Sequence, residues 1–123
     1  MRASMPITRA DLTRALELGT RAAEAQLRAA ERAGRPLPPI YAAGVRYMRH
    51  DPNERWQTPI ETLRRGGGDC EDLAMWRAAE LRLAGEPARV VWRRTGPRVL
   101  HAVVQRADGR LEDPSRALGM RAP

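Results

Sequence analysis

The sequence predicts an α+β fold in a single domain, with helices first and a small antiparallel sheet second. Three observations lead there. Apolar residues at helical spacing among good helix formers run as far as Ala84. Gly85-Glu86-Pro87 then stops the pattern. From Ala88 onward the apolar residues fall into short, valine-rich runs separated by turn residues, an order that segregates helices from an antiparallel sheet. With 123 residues, 42% hydrophobic and 30% charged, residues 1–123 can bury one core and are short for two.

The first element begins at Thr8, whose hydroxyl can cap a helix with Asp11 three residues on, and continues through Ala33 to stop signals at Gly34 and Pro36. That is about seven turns. Its stripe of Leu12, Leu16, Gly19, Ala23, Leu27 and Ala30 is narrow and built of small residues. Such a face covers a core; the same 4-3-4 spacing also suits a seam between two copies, so self-association through residues 8–34 stands as the alternative. Pro36-Leu37-Pro38-Pro39 breaks the chain, and Ile40 to Arg49 reads as a short helix turning Ile40, Val45 and Met48 inward until Asp51-Pro52-Asn53 ends it. Thr58-Pro59-Ile60-Glu61 supplies the cap, first-position proline and third-position glutamate of another helix start.

Gly66-Gly67-Gly68 then delivers the backbone to a helix from Cys70 to Ala84, with Asp69 and Asp72 at cap and third position. Strands follow over Ala88 to Arg94, Arg98 to Arg106 and Arg110 to Asp113, joined by turns at Thr95-Gly96-Pro97 and Asp108-Gly109. Trp76 and Trp92 are assigned to the core.

Composition excludes several function classes. No apolar run approaches the roughly 18 residues of a membrane span, and no basic-then-apolar leader follows Met1. The expectation is a cytoplasmic protein without membrane attachment, where an unpaired thiol stays reduced. The net charge of +7 comes from arginine alone, since no lysine occurs. The arginines are scattered, only Arg64-Arg65 and Arg93-Arg94 are adjacent, and no aromatic-rich strand accompanies them. That pattern argues against nucleic acid as the partner.

Cys70 is the only cysteine, so it forms no internal disulfide and its placement calls for another explanation. On the first turn of a helix, unpaired N–H groups and the dipole favour a thiolate, and the expectation is a lowered thiol pKa and a usable nucleophile. Downstream come His101 inside Val99-Leu100-His101-Ala102-Val103-Val104, and Asp113 before Pro114. A cysteine nucleophile needs a base, and that base needs an acceptor that fixes its tautomer; Cys70, His101 and Asp113 fit those roles. The plainer readings are a buried small cysteine, a satisfied core histidine and an aspartate capping the Pro114-Ser115 turn. His50, in a polar turn, reads as surface.

Strand parity tests the set. A two-residue loop at Asp108-Gly109 would pair Val104 with Asp113 and put the acid on the wrong face. A three-residue loop, Ala107-Asp108-Gly109, with Gly109 left-handed, pairs Val103 with Asp113 and brings the acid diagonal to His101. The three-residue loop is the expected one.

Taken together, Gly68-Asp69-Cys70-Glu71-Asp72-Leu73-Ala74, Leu81-Arg82-Leu83-Ala84-Gly85, Ala88-Arg89-Val90, the His101 strand, and Asp108-Gly109 before Asp113-Pro114-Ser115 resemble the transglutaminase-like superfamily. The nearest likeness is to bacterial transglutaminase-like cysteine proteinases, over residues 41–118, with 8–34 as a helical extension. The resemblance implies a papain-like core with a Cys-His-Asp triad at Cys70, His101 and Asp113. It also implies a cysteine peptidase or amidase that attacks a peptide or isopeptide of a protein substrate through a thioester. Transfer to an amine, or a non-catalytic binding or assembly module of the kind a phage would use, are the alternatives. The resemblance places Trp56 and Gln57 where relatives set a cleft wall or second oxyanion donor. It maps a calcium site of some relatives onto Asp69 and Glu71; no other cofactor is implied.

Overall fold

The computed structural model describes residues 8–49, 55–97 and 99–121. Among them the chain forms α1 (Arg9–Arg32), a 3-10 turn (Ile40–Ala42), β1 (Arg46–Tyr47), α2 (Pro59–Arg65), β2 (Gly67–Gly68), α3 (Cys70–Leu83), β3 (Arg89–Gly96), β4 (Val99–Gln105), β5 (Leu111–Glu112) and α4 (Pro114–Ala117). Helices precede an antiparallel β3-β4-β5 sheet, the mixed architecture expected from the sequence.

The capping box of α1 is made as predicted: the Asp11 N–H donates to the Thr8 hydroxyl at 3.1 Å, and the Thr8 N–H to the Asp11 carboxylate at 3.3 Å. Leu16 and Ala23 of the expected stripe are buried, and so is Thr20. Thr20 enters the core without an orphaned group because its hydroxyl donates to the Leu16 carbonyl at 2.7 Å. Gly19 allows close approach to α3, since a Cβ there would lie 2.3 Å from the Met75 sulfur. Arg82 on α3 grips both carboxylate oxygens of Glu17, at 2.7 and 2.8 Å, and Glu24 at 3.1 Å. Helix α1 is thus built into the core rather than hung beside it.

One expected element is corrected. Ile40 to Arg49 does not form a helix but a 3-10 turn followed by β1, which pairs in parallel with β2. Pro39 supplies no side-chain cap, and Gly44 takes a left-handed φ of 77° that ends any helical turn. The amides of Arg46, Tyr47 and Met48 instead donate to the carbonyls of Gly66, Leu118 and Gly68 at 3.0, 2.9 and 2.7 Å. Ile40 and Val45 are still buried, while Met48 is half-buried. The expected stop at Asp51-Pro52-Asn53 and His50 lie outside the described residues.

The remaining elements follow the pattern read from the sequence. Thr58, Pro59 and Glu61 start α2 with a full capping box, and Gly66 ends it at φ 88°. In the sheet, β3 pairs with β4 through Val91–Val103 and Arg93–His101. β4 pairs with β5 through Val104–Glu112 and Gln105–Leu111. The Arg106 N–H donates to the Arg110 carbonyl at 2.8 Å, leaving Ala107-Asp108-Gly109 as the loop with Gly109 at φ 90°. This is the three-residue hairpin that parity required.

Two clusters make the core. Leu16, Ala74, Met75, Ala78, Leu81, Val90, Ala102 and Val104 fill the space between α1, α3 and the sheet; Ile40, Val45, Leu73 and Trp76 fill the other side of α3. A helix buried on both sides loses the one-sided apolar stripe of a surface helix, which is why α3 carries alanine, leucine and tryptophan almost all round. Trp92 differs from expectation in being only half-buried, packed against the first cluster.

Candidate active site

The approach to Cys70 is shaped by close packing of backbone. A Cβ on Gly67 would lie 2.2 Å from the Arg46 carbonyl oxygen, and one on Gly68 would lie 2.8 Å from the Asp72 Cβ and 3.0 Å from the Gln57 amide nitrogen. No side chain fits at either position, so the parallel β1–β2 pairing requires glycine. Asp69 then caps α3, its carboxylate accepting the Asp72 N–H at 3.1 Å, while Asp72 accepts the Asp69 N–H at 3.1 Å and the Gln57 N–H at 2.7 Å. Burial pushes the Asp72 carboxyl up, against the pull of those amide donors. Cys70 is the first residue of α3, and the N–H of a first helical residue has no partner within the helix.

The Cys70 side chain is half-buried and donates to Glu71 Oε2 at 3.2 Å. The Ala102 backbone of β4 favours the thiolate and pulls the thiol pKa down. The expectation of a lowered thiol pKa is corrected: burial, first, and the Glu71 charge, second, push it up, with the Ala102 backbone opposing them. Desolvation of a thiolate outweighs what a helix end supplies. Tyr47 stands beside the same group, its hydroxyl raised by burial and then by the charges of Cys70, Asp69 and Glu71. Nothing in the sequence marked Tyr47, because the unexpected β1–β2 pairing is what brings it within range of these charges.

His101 on β4 is buried, and its Nε2 lies 3.0 and 2.9 Å from the two Asp113 carboxylate oxygens. The register that pairs Val104 with Glu112 puts Asp113 opposite Val103, one diagonal step from His101. Asp113 does not choose between its two sequence readings. It also caps α4, accepting the Arg116 N–H at 3.3 Å, so one carboxylate ends β5, starts α4 and holds the imidazole. Its neighbour Glu112 anchors the strand: Arg77 Nε donates to it at 2.6 Å, Arg106 Nη1 at 2.8 Å, and the Tyr41 hydroxyl donates as well.

Thus His101 and Asp113 are in direct contact, and Cys70 packs against the core cluster that holds Ala102, the residue after His101. Gln57 is not available as first expected. Its amide nitrogen donates to the Thr62 hydroxyl at 3.1 Å and the Gly67 carbonyl at 3.0 Å, and its oxygen accepts from Arg65 at 3.2 Å. It ties α2 to the glycine segment, with both amide hydrogens spent. Trp56 is half-buried against the core cluster that Cys70 also touches. Asp69 accepts the Asp72 N–H of the helix cap and Glu71 accepts the thiol proton, and no group of three or more His, Cys, Asp or Glu that could hold a metal ion gathers among the described residues. Calcium requires about six to eight oxygens.

No helix among the described residues is long and apolar enough to cross a membrane. No curated protein and no solved structure matches the chain. The family model of the transglutaminase-like superfamily, which includes thiol acyl-transfer enzymes, matches residues 13–110. The match takes in most of α1, outside the likeness read from the sequence, together with Cys70 and His101, and it stops short of Asp113. With a match over most of its length, the chain belongs to the transglutaminase-like superfamily.

Proposed function

We propose that the chain is a thiol acyl-transfer enzyme of the cysteine peptidase or amidase kind, with Cys70 as nucleophile, His101 as base and Asp113 as the acceptor that orients it. The observation that carries this reading is the His101–Asp113 contact at 2.9 and 3.0 Å, one residue along β4 from Ala102, in the cluster that Cys70 packs against. With Nε2–H donated to Asp113, Nδ1 keeps the lone pair and is the atom that takes the thiol proton.

The sulfur attacks a peptide or isopeptide carbonyl as its proton passes to Nδ1. The oxyanion is met by the Cys70 N–H, which has no partner within α3, and the Trp56 indole is the proposed second donor, Gln57 being spent. The tetrahedral adduct collapses, the C–N bond breaks, and Nδ1–H protonates the leaving amine. Water then adds to the thioester with His101 again as base, releasing the acid and the free thiol. Because burial and Glu71 hold the resting thiol protonated, proton transfer accompanies attack instead of preceding it. Water is favoured over an amine acceptor because the chain spends few residues on loops that would screen a thioester. The same protonated thiol is what favours the second reading, a binding module that keeps the fold without turnover.

The test is the rate of Cys70 alkylation by iodoacetamide from pH 6 to pH 10. In His101→Ala the rate at pH 7.5 should fall about a hundredfold, the lower end of what a positioned base supplies, and Asp113→Asn should fall between that variant and the wild type. A rate indifferent to both substitutions would sink the enzyme reading and leave the scaffold.

A further inference from the structure

Beside β3, and separate from the thiol, a groove of about 620 Å³ is lined by Arg9, Thr13, Arg14 and Glu17 of α1, Glu17 being paired with Arg21 and Arg82, and by Arg89 and Trp92 of β3. β3 is the edge strand of its sheet, so the N–H and C=O groups on the side away from β4 pair with no strand. Edge strands of eight residues with that side open are templates for a further strand. Arg9, Arg14 and Arg89 are exposed, and none is in an ion pair among the described residues. Trp92 lines the groove with a half-buried ring.

We propose that this groove docks an extended acidic segment of another protein, which adds to the edge of β3 and sets carboxylates against Arg9, Arg14 and Arg89. Charge selects the occupant. The net charge of +7 opposes a second copy, whose own basic groove would face this one. The seven residues before Thr8 include Arg2 and no acid, so they do not complement it either. Main-chain pairing supplies affinity in such an arrangement, and the arginines supply the preference for acidic groups.

The probe is a fluorescein-labelled ten-residue peptide of alternating glutamate and valine, followed by anisotropy with the full chain. Binding should weaken at least tenfold in the double variant Arg14→Glu with Arg89→Glu, weaken with added salt, and be lost when alternate peptide nitrogens are methylated. The same double variant should keep the wild-type rate of Cys70 alkylation, which shows an intact fold and separates this inference from the thiol chemistry. Equal binding by the double variant, equal binding of the methylated peptide or of a lysine-valine peptide, or no binding at millimolar peptide would each overturn the proposal. So would displacement by oligothymidylate at the same concentration, which would assign the groove to nucleic acid.

Discussion

At the scale of single residues, the Cys70 proton is held by a carboxylate: the thiol donates to Glu71 Oε2 at 3.2 Å, and burial and that charge together raise its pKa. Glu71→Gln removes the charge but keeps an acceptor. The thiol should titrate lower, and alkylation at pH 7.5 should rise several-fold; a fall would mean that Glu71, and not His101, takes the proton. The same shift has a stability consequence. A thiol that binds its proton more tightly folded than unfolded contributes stability fully below the unfolded value of about 8.5 and loses it as pH rises through the folded value. Comparison of urea midpoints at pH 7 and pH 10 should therefore show a smaller alkaline loss for Cys70→Ala than for the wild type.

Among the elements, β1–β2 and β5 are the shortest, and each fixes one part of the candidate site. A Cβ on Gly67 would sit 2.2 Å from the Arg46 carbonyl oxygen, so Gly67→Ala forces β1 away from β2. We expect it to cost about 2 kcal/mol in urea denaturation, within the range for overpacking. It should also slow Cys70 alkylation by displacing the helix start. β5 is held through Glu112, which accepts from Arg77, Arg106 and Tyr41. Glu112→Gln should lower stability by about 2 kcal/mol, the scale of a charged hydrogen bond. It should reduce the dependence of alkylation on His101 as well, because Asp113 is the next residue along. An unchanged midpoint would show that the hairpin loop alone holds the register.

For the whole molecule, α1 supplies Leu16, Thr20 and Ala23 to the core, and Arg82 bonds it to α3. Leu16→Ala should cost about 3 kcal/mol, as for other fully buried leucines; a loss near zero would mean that α1 docks loosely. Features encoded by local chemistry could be read from the chain alone. Thr8 and Asp11, Thr58 and Glu61, and Asp69 and Asp72 start their helices because the capping groups lie three residues apart in the chain. Ala107-Asp108-Gly109 sets the hairpin register that brings Asp113 to His101, because a left-handed glycine favours that loop. Features that need groups distant in sequence emerged only on packing. Arg46 and Tyr47 became a strand because Gly66, Gly68 and Leu118 offered carbonyls. The Gln57 amide was spent on Thr62 and Gly67. The Cys70 thiol is held protonated because burial under the sheet, beside Glu71, removes the water that a thiolate needs. The charge state of a group follows its desolvation, and desolvation exists only once the chain has packed.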